Sequence, residues 1–230
     1  MNSLVDNKIN VGIIDYGLGN LFSVQRAVVK AGGNGIITYD PEILKSCDKL
    51  ILPGVGSFPD GIKGLKEREL IRPIYKSCEK GVSILGICLG MQLLMSSSEE
   101  FGLHKGLDII KGQVIKFSKS DFSKRSFKIP HIGWNQLLFP NNLPTNRNKK
   151  SNNVFKKSIL RSVNEKSFVY FVHSYFVLPE NQEYLLAETI YGEDKYCSAV
   201  FDGNIIGCQF HPERSGAVGI EMYKNFLFSS

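Results

Sequence analysis

The sequence predicts an α/β fold: a mostly parallel central sheet with helices on both faces, and an added antiparallel β region in the second half. Three observations carry that prediction. Short, almost wholly apolar runs alternate with helix-spaced segments through the first ninety residues, as strands buried on both faces require. From residue 109 onward, strand-like runs follow one another with few helices between them. A cysteine set between glycines stands where one of the first-half strands meets a helix, at residue 88.

Taken in order, residues 9–16 (INVGIIDY) form an apolar run of buried-strand length. Over 20–31, Leu21, Val24, Ala27, Val28 and Ala31 recur at helical spacing, and Gly32-Gly33 stops the helix. Strands follow at 35–39 and 49–52, the second running into Pro53-Gly54-Val55-Gly56. Residues 67–80 make a helix with Leu70, Ile71, Ile74, Tyr75 and Cys78 on one face. A strand at 82–87 leads into a helix over 89–96. The second half offers strands at 109–117, 134–139, 168–178, 185–191, 196–201 and 204–210, with Asp202-Gly203 as a hairpin turn, and a closing helix at 219–228. One domain over 1–230 is expected, carrying a basic surface loop at 141–163.

With 43% hydrophobic and 22% charged residues the chain is neither disordered nor fibrous. Its net charge of +6 is concentrated: residues 141–166 hold seven basic residues and one acid, and the remainder balances. A charge confined to one Asn- and Ser-rich loop argues against a nucleic-acid partner. The apolar stretch at 168–178 is broken by His173 and shorter than a membrane span, and residues 1–10 lack a signal-peptide core. A cytoplasmic protein with no membrane partner is expected. Five cysteines without a C-x-x-C pair and four scattered histidines offer no metal site. No cofactor is expected either: Gly17-Leu18-Gly19-Asn20 lacks the third glycine of a dinucleotide loop, Phe22 standing in its place.

The chemistry centres on Gly86-Ile87-Cys88-Leu89-Gly90. A sharp strand-to-helix turn leaves no room for side chains at the flanking positions, and it lifts the thiol above the sheet at a helix N-terminus, which favours thiolate. The N–H of Leu89 is then an oxyanion donor, and the loop Gly54-Val55-Gly56 at another strand end supplies a second. Gln92, one helical turn beyond Cys88, can hold polar groups of a substrate. His211 ends the run at 204–210 and serves as base; Glu213, two residues on in extended backbone, orients it.

Residues 86–92 (GICLGMQ) together with 209–213 (QFHPE) resemble the triad-type, class I glutamine amidotransferases. Within that family, residues 15–21 (DYGLGNL), 52–58 (LPGVGSF), 131–135 (HIGWN) and 170–175 (YFVHSY) are similar to glutaminase subunits of imidazole glycerol phosphate synthase. The resemblance implies Cys88, His211 and Glu213 as the triad and L-glutamine as substrate. It also implies a heterodimer with a cyclase (synthase) subunit that receives the ammonia, with Trp134, Asn135, Tyr170 and His173 at or near the partner face. The chain departs from the family in the length of its basic stretch and in Arg214, where lysine is more usual. Two alternatives share the same triad: a paralogous subunit supplying ammonia for amidino-sugar formation in surface polysaccharides, and a stand-alone γ-glutamyl cysteine hydrolase.

Overall fold

The computed structural model of the chain describes residues 8–117, 128–140 and 157–228, so 141–156 of the expected basic loop lie outside them. The apolar runs of the first half form β1 (Asn10–Ile14), β2 (Asn34–Thr38), β3 (Lys49–Leu52) and β4 (Ser83–Ile87). All pair in parallel, in the order β2-β1-β3-β4. The chain returns to this sheet near its end. β13 (Ile205–Cys208) lies parallel to β4, and β12 (Asp194–Asp202) joins it through a two-residue turn over Gly203-Asn204. The antiparallel part continues through β10 (Tyr175–Pro179) and β7 (Gly112–Lys116) to the short β5 (Ser97–Ser98) and β6 (His104–Lys105), while β11 (Leu185–Tyr191) also pairs β12. β8 (His131–Gln136) and β9 (Phe168–His173) form a separate two-stranded antiparallel sheet.

Helices cover both faces. α1 (Leu21–Lys30) and α6 (Gly216–Leu227) bury Val24, Val28, Met222 and Phe226 against Val11 and Ile13 of β1. On the other face lie α2 (Pro41–Ser46), α3 (Phe58–Glu67), α4 (Ile71–Glu79) and α5 (Leu89–Leu93), packing Leu44, Phe58, Leu65 and Ile74 with Ile14 and Leu50. Each such fully buried side chain contributes about 1.5–3 kcal/mol relative to exposure.

Several expectations are corrected. The helix placed over 67–80 begins only at Ile71: α3 ends at Glu67, and Glu69 at φ 55° breaks the path between the two helices. The strand placed over 168–178 is two strands in different sheets, parted at Ser174, where His173 Nδ1 donates to the Tyr175 carbonyl at 2.8 Å. The surface loop does not run to 163. Ile159, Leu160 and Val163 are buried in the core, and Asn225 Nδ2 of α6 holds the Ile159 carbonyl at 3.0 Å. No helix among the described residues is long and apolar enough to cross a membrane.

Between the two sheets lies a cluster of Phe117, His131, Phe171, His173, Phe176, Tyr191 and Tyr196. His131 stacks on Tyr191 at 3.8 Å between centroids, and the Tyr196 hydroxyl links His131 Nδ1 (3.1 Å) to His173 Nε2 (3.3 Å). Burial lowers both imidazoles, His131 to about 4 and His173 to about 3. Both rings are therefore neutral in the fold at pH values where the unfolded chain protonates them. Their contribution is complete above the unfolded value of 6.5 and declines as pH falls below it, by up to about 1.4 kcal/mol per pH unit per ring. Thermal melts at pH 7 and pH 5 are expected to show a lower Tm at pH 5, above the range where most carboxylates titrate. An unchanged Tm would mean the rings do not stay neutral.

Candidate active site

The parallel pairing of β4 with β13 builds the site. Ile87 stands opposite Cys208, and Cys88 N–H donates to the Cys208 carbonyl at 2.7 Å as the last rung. Beyond it the chain turns abruptly. Cys88 adopts φ 53°, ψ −108°, a region that non-glycine residues seldom occupy, and α5 begins at the next residue. The turn is tight because a Cβ on Gly90 would stand 1.7 Å from the Leu52 carbonyl oxygen, so only glycine lets α5 close on the end of β3. Gly54 is wedged in the same way: the Tyr16 hydroxyl lies 2.0 Å and the Leu89 Cβ 2.9 Å from where its Cβ would be. The loop Gly54-Val55-Gly56 and Leu89 therefore lie against each other beside Cys88.

On the β13 side the chain runs through Gln209 and Phe210 to His211. Gln209 Nε2 donates to Cys88 Sγ at 3.5 Å. His211 is 3% exposed, its N–H donates to the Tyr170 carbonyl of β9 at 2.9 Å, and Ser215 Oγ donates to its carbonyl at 2.7 Å. Ser215 Oγ also accepts from Tyr170 N–H at 3.1 Å. Ring Nδ1 meets Glu213 Oε1 at 2.7 Å, both side chains being almost wholly buried. Nε2 has no hydrogen bond to another described group and is the ring nitrogen left for Cys88. Burial pushes the His211 pKa down, but the charge of a Cys88 thiolate, followed by Glu213, outweighs it and raises it to about 10. A histidine held by a carboxylate on one ring nitrogen, with the other left for a cysteine, is the arrangement that activates a cysteine nucleophile.

Cys88 opens into a pocket of about 430 Å³, lined also by Val55, Gly56, Leu89, Gln92, Glu100 and Arg214. Such a volume suits a small polar ligand. The pocket thus joins Cys88 with Val55, Gly56, Leu89 and Gln92, while His211, Glu213 and Gly54 do not line it and His211 and Glu213 are buried. Gln92 plays a different part from the one expected. Its two amide hydrogens go to the Tyr175 carbonyl (2.9 Å) and Gln209 Oε1 (3.0 Å), which leaves only its oxygen for a ligand. Three residues at the site had been given no role from the sequence: Gln209, Glu100 and Arg214. Gln209 sits inside the QFHPE motif, Arg214 follows it directly and was noted only as a departure from the family, and Glu100 carried no local signal of its own. Burial raises the Glu100 carboxyl, although the Phe58 N–H donates to it at 2.7 Å. Among the described residues no group of three or more His, Cys, Asp or Glu side chains is arranged to hold a metal.

Of the four residues placed at a partner face, two point outward and two inward. In the β8–β9 register Trp134 stands opposite Tyr170, with rings edge-on at 6.1 Å and the Arg214 guanidinium 4.3 Å above the Tyr170 ring. Trp134 is 55% exposed and shares its face with exposed Ile132 and Phe168. His173 and Asn135 stand on the other face of the sheet, and His173 also lines the Cys88 pocket. Strand alternation turns them to the opposite face, where His173 enters the aromatic cluster and Asn135 Nδ2 donates to the Ile190 carbonyl at 2.9 Å.

Comparison with known proteins agrees with this architecture. The family model for class-I glutamine amidotransferases matches residues 12–230. The chain is 42% identical over 218 residues to the imidazole glycerol phosphate synthase subunit HisH 1 of Legionella pneumophila, covering 95% of this chain and 98% of that one. It is 43% identical to the HisH subunit of Sulfurimonas denitrificans, covering 94% and 96%. Among solved structures, PurLQS from Thermotoga maritima superposes with a TM-score of 0.70 at 20% identity over 96% of this chain and 98% of that chain, a likeness of fold. The chain belongs to the class-I glutamine amidotransferase family.

Proposed function

We propose that the chain is the glutaminase subunit of an imidazole glycerol phosphate synthase, hydrolysing L-glutamine to glutamate and ammonia for histidine biosynthesis. The observation that carries the reading is a pocket-lining Cys88 with the buried His211–Glu213 pair beside it, in a chain about 40% identical to HisH subunits over nearly its whole length. Those relatives favour histidine biosynthesis over the surface-sugar alternative.

In the proposed reaction Cys88 thiolate attacks the side-chain amide carbon of glutamine. The tetrahedral oxyanion is received by the Leu89 N–H and by N–H groups of the 54–56 loop. His211, protonated at rest, gives its Nε2 proton to the departing ammonia, and a γ-glutamyl thioester remains. The neutral imidazole then takes a proton from water as the water attacks the thioester, and glutamate leaves with the thiolate restored. Glu213 holds Nδ1–H throughout, fixing the tautomer and stabilising the imidazolium. Glu100 and Arg214, of opposite charge at the pocket wall, complement the ammonium and carboxylate of a free amino acid. Ammonia passes to a synthase subunit bound as a heterodimer, and the apolar face of Ile132, Trp134, Phe168 and Tyr170 is where we place that partner. The chain works as one domain, without a cofactor, in the cytoplasm. Its cysteines are free, and Cys197 and Cys208 are buried packing residues whose thiols burial raises.

Cys88→Ser is expected to abolish glutamine-dependent synthesis by the complex while sparing synthesis fed with ammonium salt, because Cys88 acts only in releasing ammonia. A mutant complex that still hydrolyses glutamine would remove Cys88 as nucleophile. Full hydrolysis of γ-glutamyl peptides by the isolated wild-type chain would instead favour the stand-alone hydrolase. Glu213→Gln keeps the shape but not the charge, and steady-state kinetics of the complex should show kcat lower by on the order of 10 to 10³, less than for a serine triad because a thiol ionises more readily. An unchanged kcat would leave a Cys88–His211 dyad. Trp134→Ser should weaken the heterodimer by about tenfold or more in a titration with the synthase subunit, while Tm of the isolated chain barely moves. Unaltered affinity would place the partner elsewhere.

A further inference from the structure

Glu213 spends one carboxylate oxygen on His211. The other, Oε2, is buried and accepts no hydrogen bond from any described residue, and the side chain is 2% exposed. A buried carboxylate oxygen without a donor is costly, on the order of 1–3 kcal/mol or more. The element packed on it is α6. A Cβ on Gly219 would stand 1.8 Å from the Pro212 carbonyl oxygen, so glycine lets the first turn of α6 sit directly on the turn that carries Glu213. Tyr223 lies four residues further on the same helical face. It is 0% exposed, and its hydroxyl likewise has no hydrogen-bond partner among the described residues. Burial first, and then the Glu213 and Cys208 charges, raise the Tyr223 hydroxyl well above the ordinary phenol value. The Cys208 thiol is committed elsewhere, donating to the Phe210 carbonyl at 3.5 Å. Arg214, next in sequence, is turned to the Tyr170 ring. The groups facing Glu213 are therefore His211 on its own turn, Cys208 of β13 and Tyr223 of α6, and of these Tyr223 is the donor still free.

We infer that Tyr223 is a positioning residue of the active site: its hydroxyl donates to Glu213 Oε2 through one water molecule, and so fixes the carboxylate where Oε1 meets His211. A lone bond to Nδ1 leaves a carboxylate free to swing about its side-chain torsions; a second anchor on the far oxygen removes that freedom. The inference rests on the reading of Glu213 as the orienter of His211, and the test separates the two.

Tyr223→Phe removes the hydroxyl and keeps the ring. In steady-state glutaminase assays of the complex, kcat is expected to fall by about 3- to 10-fold with KM unchanged. In a Glu213→Gln background the same substitution should cost nothing further, because the group it acts through is already altered. Proton NMR of the isolated Tyr223→Phe chain should show the His211 Nδ1–H resonance displaced downfield, as Oε1 regains the charge that the hydroxyl had drawn off. A Tyr223→Phe protein with lower Tm but unchanged kcat and an unmoved resonance would overturn the proposal, and so would losses that multiply in the double variant. If Glu213→Gln itself leaves kcat unaltered, the orienting role of Glu213 falls and Tyr223 falls with it.

Discussion

Everything in the site depends on one strand register, the parallel pairing of β4 with β13 that sets Ile87 beside Cys208. The two strands are separated by more than a hundred residues, so the pairing is a long-range contact whose loop-closure cost is met by the sheet as a whole. Once it forms, the next residues diverge in opposite senses. Cys88 turns sharply into α5, while Gln209 continues outward and carries His211 to the same edge. A slip of one residue would send every side chain of β13 to the other face of the sheet and part the cysteine from its histidine. The glycine-filled contacts of Gly90 with the Leu52 carbonyl and Gly54 with Tyr16 and Leu89 keep the neighbouring strand end equally close.

The three buried histidines show how environment, not residue type, decides charge. His131 and His173 are enclosed by aromatic rings and a tyrosine hydroxyl, and burial leaves them neutral. His211 is as deeply buried, yet the charge of Cys88 near one nitrogen and a carboxylate on the other carry it in the opposite direction. One fold therefore holds neutral imidazoles as structural spacers together with a charged one. The two environments are joined through β9. Its inner face supplies His173 to the aromatic cluster, while its Tyr170 backbone is bonded to both His211 and Ser215.

The parallel half was legible in the sequence because strands buried on both faces read as unbroken apolar runs, and the glycine-flanked cysteine marks its own turn. α2 and α3 were overlooked although each announces itself. Asp40 caps the Glu42 N–H ahead of Pro41, and Ser57 caps the Asp60 N–H ahead of Pro59. Their apolar positions are too few for periodicity to find them; the caps and prolines were the usable signal. The run at 168–178 hid a change of sheet, because apolar character alone does not say which partner a strand has. Strand parity could have divided Trp134 from Asn135, since adjacent residues face opposite ways, but it could not foretell which side was covered. Glu100 and Tyr223 come to the site through tertiary packing alone and were beyond the reach of any local pattern.

Trp134 is the single tryptophan of the chain, and it stands more than half exposed on the outer face of the β8–β9 sheet. Indole emission excited at the red edge of its band comes from this one position, free of background from the core. Its wavelength follows the water around the ring, and the Arg214 guanidinium over the neighbouring Tyr170 sets the local field. The face that a second molecule would cover thus carries its own optical probe, directly across from the Tyr170 whose backbone holds His211.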